Sequence, residues 1–222
     1  MKKQLLSVFA LSMMTLAVVS CKNEASQAQD AVEITENAEN ADVYTANVEQ
    51  SKINWTGSKV VGGQHQGTIT LKSGDVAVAD GAVQNGTFVI DFTTINVTDL
   101  EGDDKAYLEA HLKGTNQDDS VDHFFNVTEF PEGKFEIASV TTNGAETTIT
   151  GNLTVKGITK SVSFPANVTV TDEVVTIETQ SFPINRTDFN INYGSKSKFA
   201  DLAADQVISD DILVQLNVVA NK

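Results

Sequence analysis

The sequence predicts an all-β fold, an antiparallel barrel or a sandwich, with one short helix. The main observation is a two-residue alternation of apolar and polar side chains, because successive side chains of a strand point to opposite faces. Glycine, asparagine and aspartate cluster between the alternating runs, and the chain of 222 residues contains only three prolines. A βαβ fold would need a helix between successive strands, and the sequence offers only one helical segment.

The first twenty residues are typical of an export signal. In residues 1–20 two lysines precede an apolar stretch that is too short to span a membrane as a helix. The next residue, Cys21, is the only cysteine, so it cannot form an internal disulfide. The letters VVSC resemble a bacterial lipobox, in which the cysteine is acylated and becomes the mature N-terminus. We therefore predict a lipoprotein signal peptide over 1–20 and a lipid anchor at Cys21; the alternative is a secretory peptide that leaves a free thiol.

Residues 21–42 are predicted to form a flexible tether after the lipidated cysteine. They contain no aromatic residue and few large aliphatic ones, so they cannot bury enough apolar surface to offset the entropy of ordering. The charged letters KNE at 22–24 resemble those that direct some Bacteroidetes lipoproteins to the outer surface. We expect a location in the cell envelope, anchored to the outer membrane on its periplasmic face or at the cell surface.

Residues 43–222 are predicted to form one folded domain. The alternation is clear in KINWTG, GTITLKSG, GTFVIDF, GKFEIASV, TTITGNLTV, EVVTIET and ILVQLNVVA. The stretch GNLTVKGITKSVSFPANV at 151–168 contains two such strands joined at Lys156 and Gly157, which predicts a hairpin. Each strand thus has one apolar face, and the question is whether these faces enclose a packed core or a ligand.

The one helical segment reads DDKAYLEAHLKG. Asp103 or Asp104 is the expected N-cap, and Gly114 stands where the C′ glycine of a helix belongs. Leu108 and Leu112 are four residues apart and form an apolar stripe, and a lysine and a glutamate are spaced for an ion pair. The sequence therefore predicts a short amphipathic helix that lies against the barrel or over its mouth.

The charge balance excludes several classes of partner. The chain has 30 acidic and 15 basic residues, a formal charge of −15, whereas nucleic acids and anionic membrane surfaces require a basic patch. We expect no nucleic acid partner, and membrane contact through Cys21 only. The three histidines do not form a zinc motif or a nucleophile–base arrangement, so we expect a protein that is not an enzyme and has no metal or cofactor. The oligomeric state is left open, and a homodimer is one alternative.

Two polar residues are candidates for contact with a ligand. His65 lies in the glycine-rich stretch VVGGQHQGTI, either as a turn histidine bonded to carbonyls or as a ligand contact. Arg186 is the only arginine, and the apolar register flips around Arg186 and Asp188, which suggests a bulge or corner. Its guanidinium could pair with Asp188 or Asp91, or it could face the polar head of a ligand.

Motifs along the whole of 43–222 resemble a known family. In order they are Trp55, GGQHQG, LKSG, GTFVIDFTTI, LEAHLKG, FFNVTEFPEGKFE, GNLTVKGITKSVSFP, FPINRTDFNINYG and ILVQLNVVA. Together they resemble the YceI-like family of exported polyisoprenoid-binding proteins. The resemblance implies an extended eight-stranded antiparallel lipocalin-like barrel with one short helix, whose interior holds an isoprenoid such as a quinone or a polyprenyl lipid. The chain departs from the family at HFFN (123–126), where an acidic residue is common after the two aromatics, and in its lipid anchor.

An eight-stranded barrel has an interior just wide enough to be filled by side chains or to hold one small ligand. The resemblance favours the ligand, and an isoprenoid stored or transported in the cell envelope is the expected function. The alternative is a surface-anchored interaction module with a filled barrel and no lipid. The candidate ligand-binding residues are Trp55, His65, Phe88, Ile90, Phe92, Leu108, Leu112, Phe135, Leu153, Val155, Phe164, Phe182 and Arg186.

Overall fold

The computed structural model describes residues 29–36, 38, 40–116 and 122–222. The strands in this part of the chain are β1 (Gln29–Asp30), β2 (Asp42–Ala46), β3 (Lys52–Ser58), β4 (Gln64–Ala79), β5 (Ala82–Val97), β6 (Glu132–Asn143), β7 (Glu146–Val155), β8 (Ile158–Val170), β9 (Val174–Glu178), β10 (Phe182–Asn185) and β11 (Asp211–Asn221). The helix α1 (Gly102–Lys113) connects β5 to β6, and short 3-10 turns lie at Arg186–Phe189 and Ala204–Gln206.

Eight of these strands form a closed antiparallel ring, which confirms the barrel. Their order is β3, β4, β5, β6, β7, β8, β9 and β11, and β11 closes the ring because it pairs with both β9 and β3. The short strand β2 lies beyond the end of β3 and, like β3, pairs with both β4 and β11. The short strand β10 lies beyond the end of β9 and, like β9, pairs with β11. The period-two alternation therefore places one face of each strand inside the barrel.

One end of the barrel is filled by side chains. The core there includes Tyr44 of β2, Val76 and Val78 of β4, Val83 of β5 and Ala220 of β11, all of them buried. Tyr44 also donates a hydrogen bond from its hydroxyl to the carbonyl of Thr171, at 2.8 Å. We call this end the closed end.

A seam interrupts the hydrogen bonding of the wall at the opposite end. The strand β8 pairs with β9 only through Asn167–Val170, and within the described residues β10 pairs with β11 alone. In the described strands, the first half of β8 therefore pairs with β7 on one side and with β1 on the other. Gln29 and Asp30 of β1 lie opposite Ser161 and Lys160.

The stretch predicted as a tether contacts the barrel over its described part. Beyond β1, the side-chain amide of Asn152 donates to the carbonyl of Val32 at 2.7 Å and accepts from its N–H at 2.9 Å. The amide of Asn85 donates to the carbonyl of Thr35 at 2.8 Å. Composition did not reveal these contacts because the segment is held by backbone groups, not by apolar side chains. The signal over 1–20, Cys21 and residues 22–28 lie outside the described residues, so those predictions stand as made.

The helix α1 begins two or three residues earlier than predicted, because its N-cap is a different residue. Its N-cap is Glu101, which makes no side-chain capping bond, whereas Asp103 and Asp104 lie in the first turn. Carboxylates in the first turn still favour the helix, because they face the positive end of its dipole. The end of the helix is as predicted, since Gly114 has a left-handed conformation with φ of 72°. No helix in the described part of the chain has the length and apolarity needed to cross a membrane.

Polar contacts hold α1 at the end of the barrel opposite the closed end. Glu109 accepts a hydrogen bond from the N–H of Val97, the last residue of β5, at 2.9 Å. Lys105 forms the predicted ion pair with Glu109, at 3.7 Å, and also donates to the side chain of Asn96. After the helix, the N–H of Phe125 donates to the carbonyl of Leu112 at 3.1 Å. The helix and the loop 122–130 are thus tied to each other and to the barrel.

Candidate functional site

The barrel encloses a cavity of about 570 Å³. Every strand of the eight-stranded ring contributes to its wall, together with α1, and most of the lining side chains are aliphatic or aromatic. All thirteen residues predicted to contact a ligand lie on this wall: Trp55, His65, Phe88, Ile90, Phe92, Leu108, Leu112, Phe135, Leu153, Val155, Phe164, Phe182 and Arg186. The structure thus brings them together, and their contact with a ligand stays a prediction.

Aromatic rings of the wall lie on glycines of neighbouring strands. A methyl group at Gly133 would come within 2.6 Å of the ring of Phe92, and one at Gly151 within 2.6 Å of the ring of Phe135. Trp55 covers Gly67, and Phe88 covers Gly74, in the same way. Because these glycines have no Cβ, the rings can lie along the wall instead of projecting into the lumen. The sequence signal for this arrangement was a glycine inside a strand, which the alternation alone did not explain.

The cavity opens to solvent at the end that carries α1. The exposed residues of its lining lie there: Lys59 and Gly63 in the β3–β4 loop, Tyr107 on α1 and Tyr193 in the loop after β10. The lining at the closed end is apolar, whereas most polar lining residues are near this opening. We call this end the open end. The arrangement suits a ligand with a long apolar part and a polar group near the opening.

His65 lies at the open end and is held by a carboxylate. Its Nδ1 is 2.9 Å from Oδ2 of Asp99, whose other oxygen accepts from the N–H of Gln66 at 2.9 Å. The sequence had suggested carbonyl partners, and the structure places the Asp99 side chain there instead, because the end of β5 and the start of β4 are adjacent. The ring of His65 still faces the cavity, so a contact with ligand remains open to it.

A cluster of aromatic and histidine rings was not predicted from the sequence. His111 of α1 lies 4.9 Å from Tyr193 and 5.4 Å from His123, between ring centroids. His123 stacks on Tyr193 at 4.2 Å, and its Nδ1 is buried without a hydrogen-bond partner in the described residues. We call these three residues the mouth cluster. His111 and His123 are twelve residues apart and Tyr193 lies 70 residues further along the chain, and no spacing pattern relates the three.

The environment of the mouth cluster disfavours positive charge. Burial lowers the pKa of His111, and the neighbouring His123 lowers it further. His111 is therefore disposed to remain neutral near neutral pH, and a neutral imidazole can donate one hydrogen bond and accept another. Trp55 supplies a further donor on the cavity wall, since its Nε1 is buried with no partner in the described residues.

Arg186 is buried, with only 3% of its surface exposed, and its guanidinium is bonded mainly to backbone. It donates from Nε to the carbonyl of Ser209 at 2.9 Å, from Nη1 to Ile191 at 2.8 Å and from Nη2 to Ile208 at 3.2 Å. Asp210 lies 3.7 Å away. Burial lowers the pKa of Arg186, and the charge of Asp210 opposes that shift. These bonds favour a structural role, in which Arg186 ties together the beginning and the end of the connection between β10 and β11.

Arg186 has an ion-pair partner that the sequence analysis did not name. The carboxylate in ion-pair contact is Asp210, and Asp91 accepts hydrogen bonds from Thr93. Asp210 comes into reach because β11, which follows it, pairs with β10. The flip of the apolar register arises at a corner, one of the two predicted alternatives: β10 ends at Asn185 and a 3-10 turn follows.

Comparison with known proteins is consistent with this architecture. The family model for the YceI-like domain matches residues 44–220. The chain belongs to the YceI-like family. The family model covers nearly the whole of the barrel from β2 to β11. No curated protein sequence matches the chain at a significant level.

Solved structures of low sequence identity share the fold. The crystal structure of BcnA from Burkholderia cenocepacia aligns with a TM-score of 0.59 at 18% identity, over 79% of this chain and 99% of BcnA. A polyisoprenoid-binding domain from Saccharophagus degradans, implicated in plant cell wall breakdown, aligns with a TM-score of 0.55 at 14% identity. That alignment covers 80% of this chain and 97% of the domain. At these identities the likeness shows the fold.

Proposed function

We propose that this YceI-like protein binds a long-chain isoprenoid lipid, of the quinone or polyprenyl type, inside its barrel and stores or transports it in the cell envelope. The observation that carries the proposal is the apolar cavity of about 570 Å³. The barrel is filled with side chains at its closed end, and the cavity reaches solvent at the open end. Each CH₂ group that leaves water is worth about 0.8 kcal/mol, so a long chain gains affinity from such a wall. The polyisoprenoid-binding domain of Saccharophagus degradans, which has the same fold, supports this ligand class.

The polar groups near the opening suit an oxygen-bearing head. The indole N–H of Trp55 on the cavity wall has no partner in the part of the chain that the structure describes, and His111 and Tyr193 line the same opening. An apolar chain would lie in the depth of the cavity, where every lining side chain is apolar, and its head would remain near these donors. This is a binding function, and no reaction is part of it.

The cavity argues against the alternative of an interaction module with a filled barrel. Four aromatic rings lie against glycines of neighbouring strands, an arrangement that a packed interior would not require. Close packing is the rule in protein interiors, and a void of this size is costly unless something occupies it.

Organic extraction and native mass spectrometry of the purified full chain test the proposal. We expect an isoprenoid to be released by organic solvent, and the corresponding mass to be lost from the native protein. Lipid-free protein should also be stabilised on addition of a long-chain quinone or a polyprenol, because a ligand that binds only the folded state raises the melting temperature. Repeated absence of bound lipid, together with no stabilisation by either compound, would rule the proposal out.

The location in the envelope is a separate part of the proposal. We propose that Cys21 carries the lipid anchor, on the strength of the lipobox-like letters VVSC. The substitution Cys21→Ser should move the protein from the membrane fraction to the soluble fraction, because stable anchoring depends on acyl chains and not on an acidic protein surface. If the variant partitions with membranes as wild type does, the anchor lies elsewhere.

A further inference from the structure

Lys156 is a buried lysine at the tip of a hairpin. It lies in the two-residue turn between β7 and β8, where Val155 pairs with Ile158, and only 4% of its side chain is exposed. A connecting turn normally lies in solvent, and lysine is among the residues least often buried unless its charge is paired. The proposed binding function gives this side chain no role, so its burial needs an explanation of its own.

The backbone conformation of the turn is also unfavourable for lysine. Lys156 has φ of 50° and Gly157 has φ of 72°, so both central residues are left-handed, as in a type I′ turn. Asparagine, aspartate or glycine is preferred at the first of these positions and glycine at the second, because a longer side chain crowds the backbone there. Gly157 meets this preference and Lys156 does not. A side chain that is disfavoured by both its conformation and its burial must be held by its contacts.

The ammonium group of Lys156 contacts the start of loop 122–130. Its Nζ donates to the carbonyl of Asp122 at 3.1 Å and lies 3.4 Å from Oδ1 of the same residue. That oxygen also accepts from the side-chain amide of Asn126, which is buried, at 3.1 Å. Phe130, at the other end of the loop, lies next to the glycine of the turn, where a methyl group would stand 3.5 Å from its ring. The hairpin turn thus contacts both ends of this loop.

The same loop contributes aromatic rings to the cavity wall. Phe124 and Phe125 line the cavity, and the ring of Phe125 lies 4.5 Å from that of Phe92 on β5, between centroids. The N–H groups of Phe125 and Val127 donate to carbonyls at the end of α1, at 3.1 and 2.9 Å. The loop is therefore held by α1 on one side and by the hairpin turn on the other, and its rings complete the wall between them.

We propose that Lys156 is a positioning residue for the ligand: it fixes loop 122–130 against the barrel, so that Phe124 and Phe125 stay in the cavity wall and a bound isoprenoid is retained. Without the ammonium group the loop keeps its bonds to α1 but loses its polar tie to the hairpin, and it should open more often. Each opening removes aromatic rings from the wall and gives an apolar chain a way out. Retention rests on the proposed function, whereas the hold on the loop is a property of the lipid-free protein.

Two substitutions separate the ammonium group from the turn. Lys156→Met keeps most of the stem and loses the charge, whereas Lys156→Asn loses both and introduces a residue that suits the left-handed conformation. The matched control is Lys160→Met in the same hairpin, where the lysine pairs with Asp30 at 3.0 Å and not with the loop. We expect Lys156→Asn to melt close to wild type, because the turn gains what the contact loses, and Lys156→Met to melt lower.

Hydrogen exchange of the lipid-free full chain tests the hold on the loop. The amides of Phe125 and Val127 should exchange roughly tenfold faster in both Lys156 variants than in wild type, since a hydrogen bond to a charged group contributes about that factor or more. Exchange in Lys160→Met should stay as in wild type. Equal exchange in all four proteins, or a rise that merely follows the loss of global stability, would overturn the proposal.

Release of a long-chain quinone tests retention. The loaded full chain is mixed with an excess of empty vesicles, and the quinone that remains on the protein is measured over time. We expect roughly tenfold faster release from both Lys156 variants, including Lys156→Asn with its near-normal melting, and unchanged release from Lys160→Met. Release that is equal in all four proteins, or that follows the melting temperature, would contradict a role in retention. If wild type takes up no quinone, the proposed function fails and retention with it, and the exchange experiment still decides whether Lys156 holds the loop.

Discussion

Phe164 of β8 and Phe182 of β10 stack face to face, with ring centroids 4.4 Å apart and planes at 12°, across the seam of the barrel wall. The backbones of these two strands are not paired with each other in the described structure, so the contact between them is made by side chains. A ring stack of this kind contributes about 0.5–1.5 kcal/mol beyond the burial of its area. The seam is therefore the part of the wall whose closure depends most on side-chain packing.

Replacing Phe182 by alanine should loosen the seam selectively. Hydrogen exchange of the β10 amides should speed up by more than the loss of global stability accounts for. Local opening exposes first the strands that have the fewest hydrogen bonds to neighbouring strands. The control is Phe88→Ala on β5, a strand with hydrogen-bonded neighbours on both sides. If exchange in β10 follows global stability in the same way in both variants, the seam is no weaker than the rest of the wall.

Phe88→Trp should lower lipid loading more than stability, because Phe88 lines the cavity and the larger ring can extend into the lumen. The control is Val76→Ile, which adds a methyl group at a fully buried position of the closed end. Overpacking a filled region costs about 1–3 kcal/mol, so this variant should lose stability and keep its loading. Thermal melts and quantification of bound isoprenoid separate the two effects. A Phe88→Trp variant that loses stability and loads normally would show that its face is packed core.

Gly133→Ala should also reduce loading, through the ring that covers the glycine. The new methyl group would stand 2.6 Å from the ring of Phe92, so the ring must turn towards the lumen. Gly63→Ala is the matched control, because Gly63 also borders the cavity but a methyl group there meets nothing within 4 Å. Adding Phe92→Leu to Gly133→Ala should restore loading by removing the displaced ring. Normal loading in Gly133→Ala alone would show that the wall can absorb the methyl group.

The sequence was sufficient for the wall of the cavity but not for its opening. Alternation along GTFVIDF placed Phe88, Ile90 and Phe92 on one face, and that face is the inner one. The same alternation could not show that Phe164 and Phe182 meet at a seam, since the pairing of strands is a long-range property. It also could not relate Arg186 to Asp210, because their proximity depends on the register of β10 with β11.

The mouth cluster was missed for a similar reason. His111 appeared only as one letter of an amphipathic helix, and His123 as part of HFFN, a departure from the family pattern. Their contact with Tyr193 arises because α1, the loop 122–130 and the loop after β10 all cover the same end of the barrel. Metal-type or catalytic spacing would have been the only local signal, and neither is present in these stretches.

His111 should make stability depend on pH. Burial and the neighbouring His123 lower its pKa below the value of about 6.5 that it has in an unfolded chain. Below about pH 6.5 the unfolded state therefore binds more protons than the folded state. The free energy of unfolding is highest above this range, and it decreases as the pH falls from about 6.5 through the pKa of the folded state. Wild type should lose more stability than His111→Gln between about pH 7 and pH 5. The difference between the two proteins isolates His111 from the many carboxylates, and an NMR titration of its ring with a midpoint at or above 6.5 would contradict the argument.

Arg186→Lys and Arg186→Met distinguish a structural role of this residue from contact with the head of a ligand. Lysine keeps the charge but loses the planar fork, and methionine keeps much of the stem and loses both. Arg186 donates to three backbone carbonyls, so its loss leaves three acceptors without this donor, at about 1–3 kcal/mol for the buried one at Ile191. We expect both variants to melt below wild type, Met lower than Lys, by the same amount in lipid-free and in quinone-loaded samples. Contact with the head would give another pattern: the lipid-free variants would melt nearly as wild type, and the stabilisation by quinone would shrink, because that stabilisation follows the affinity for the folded state.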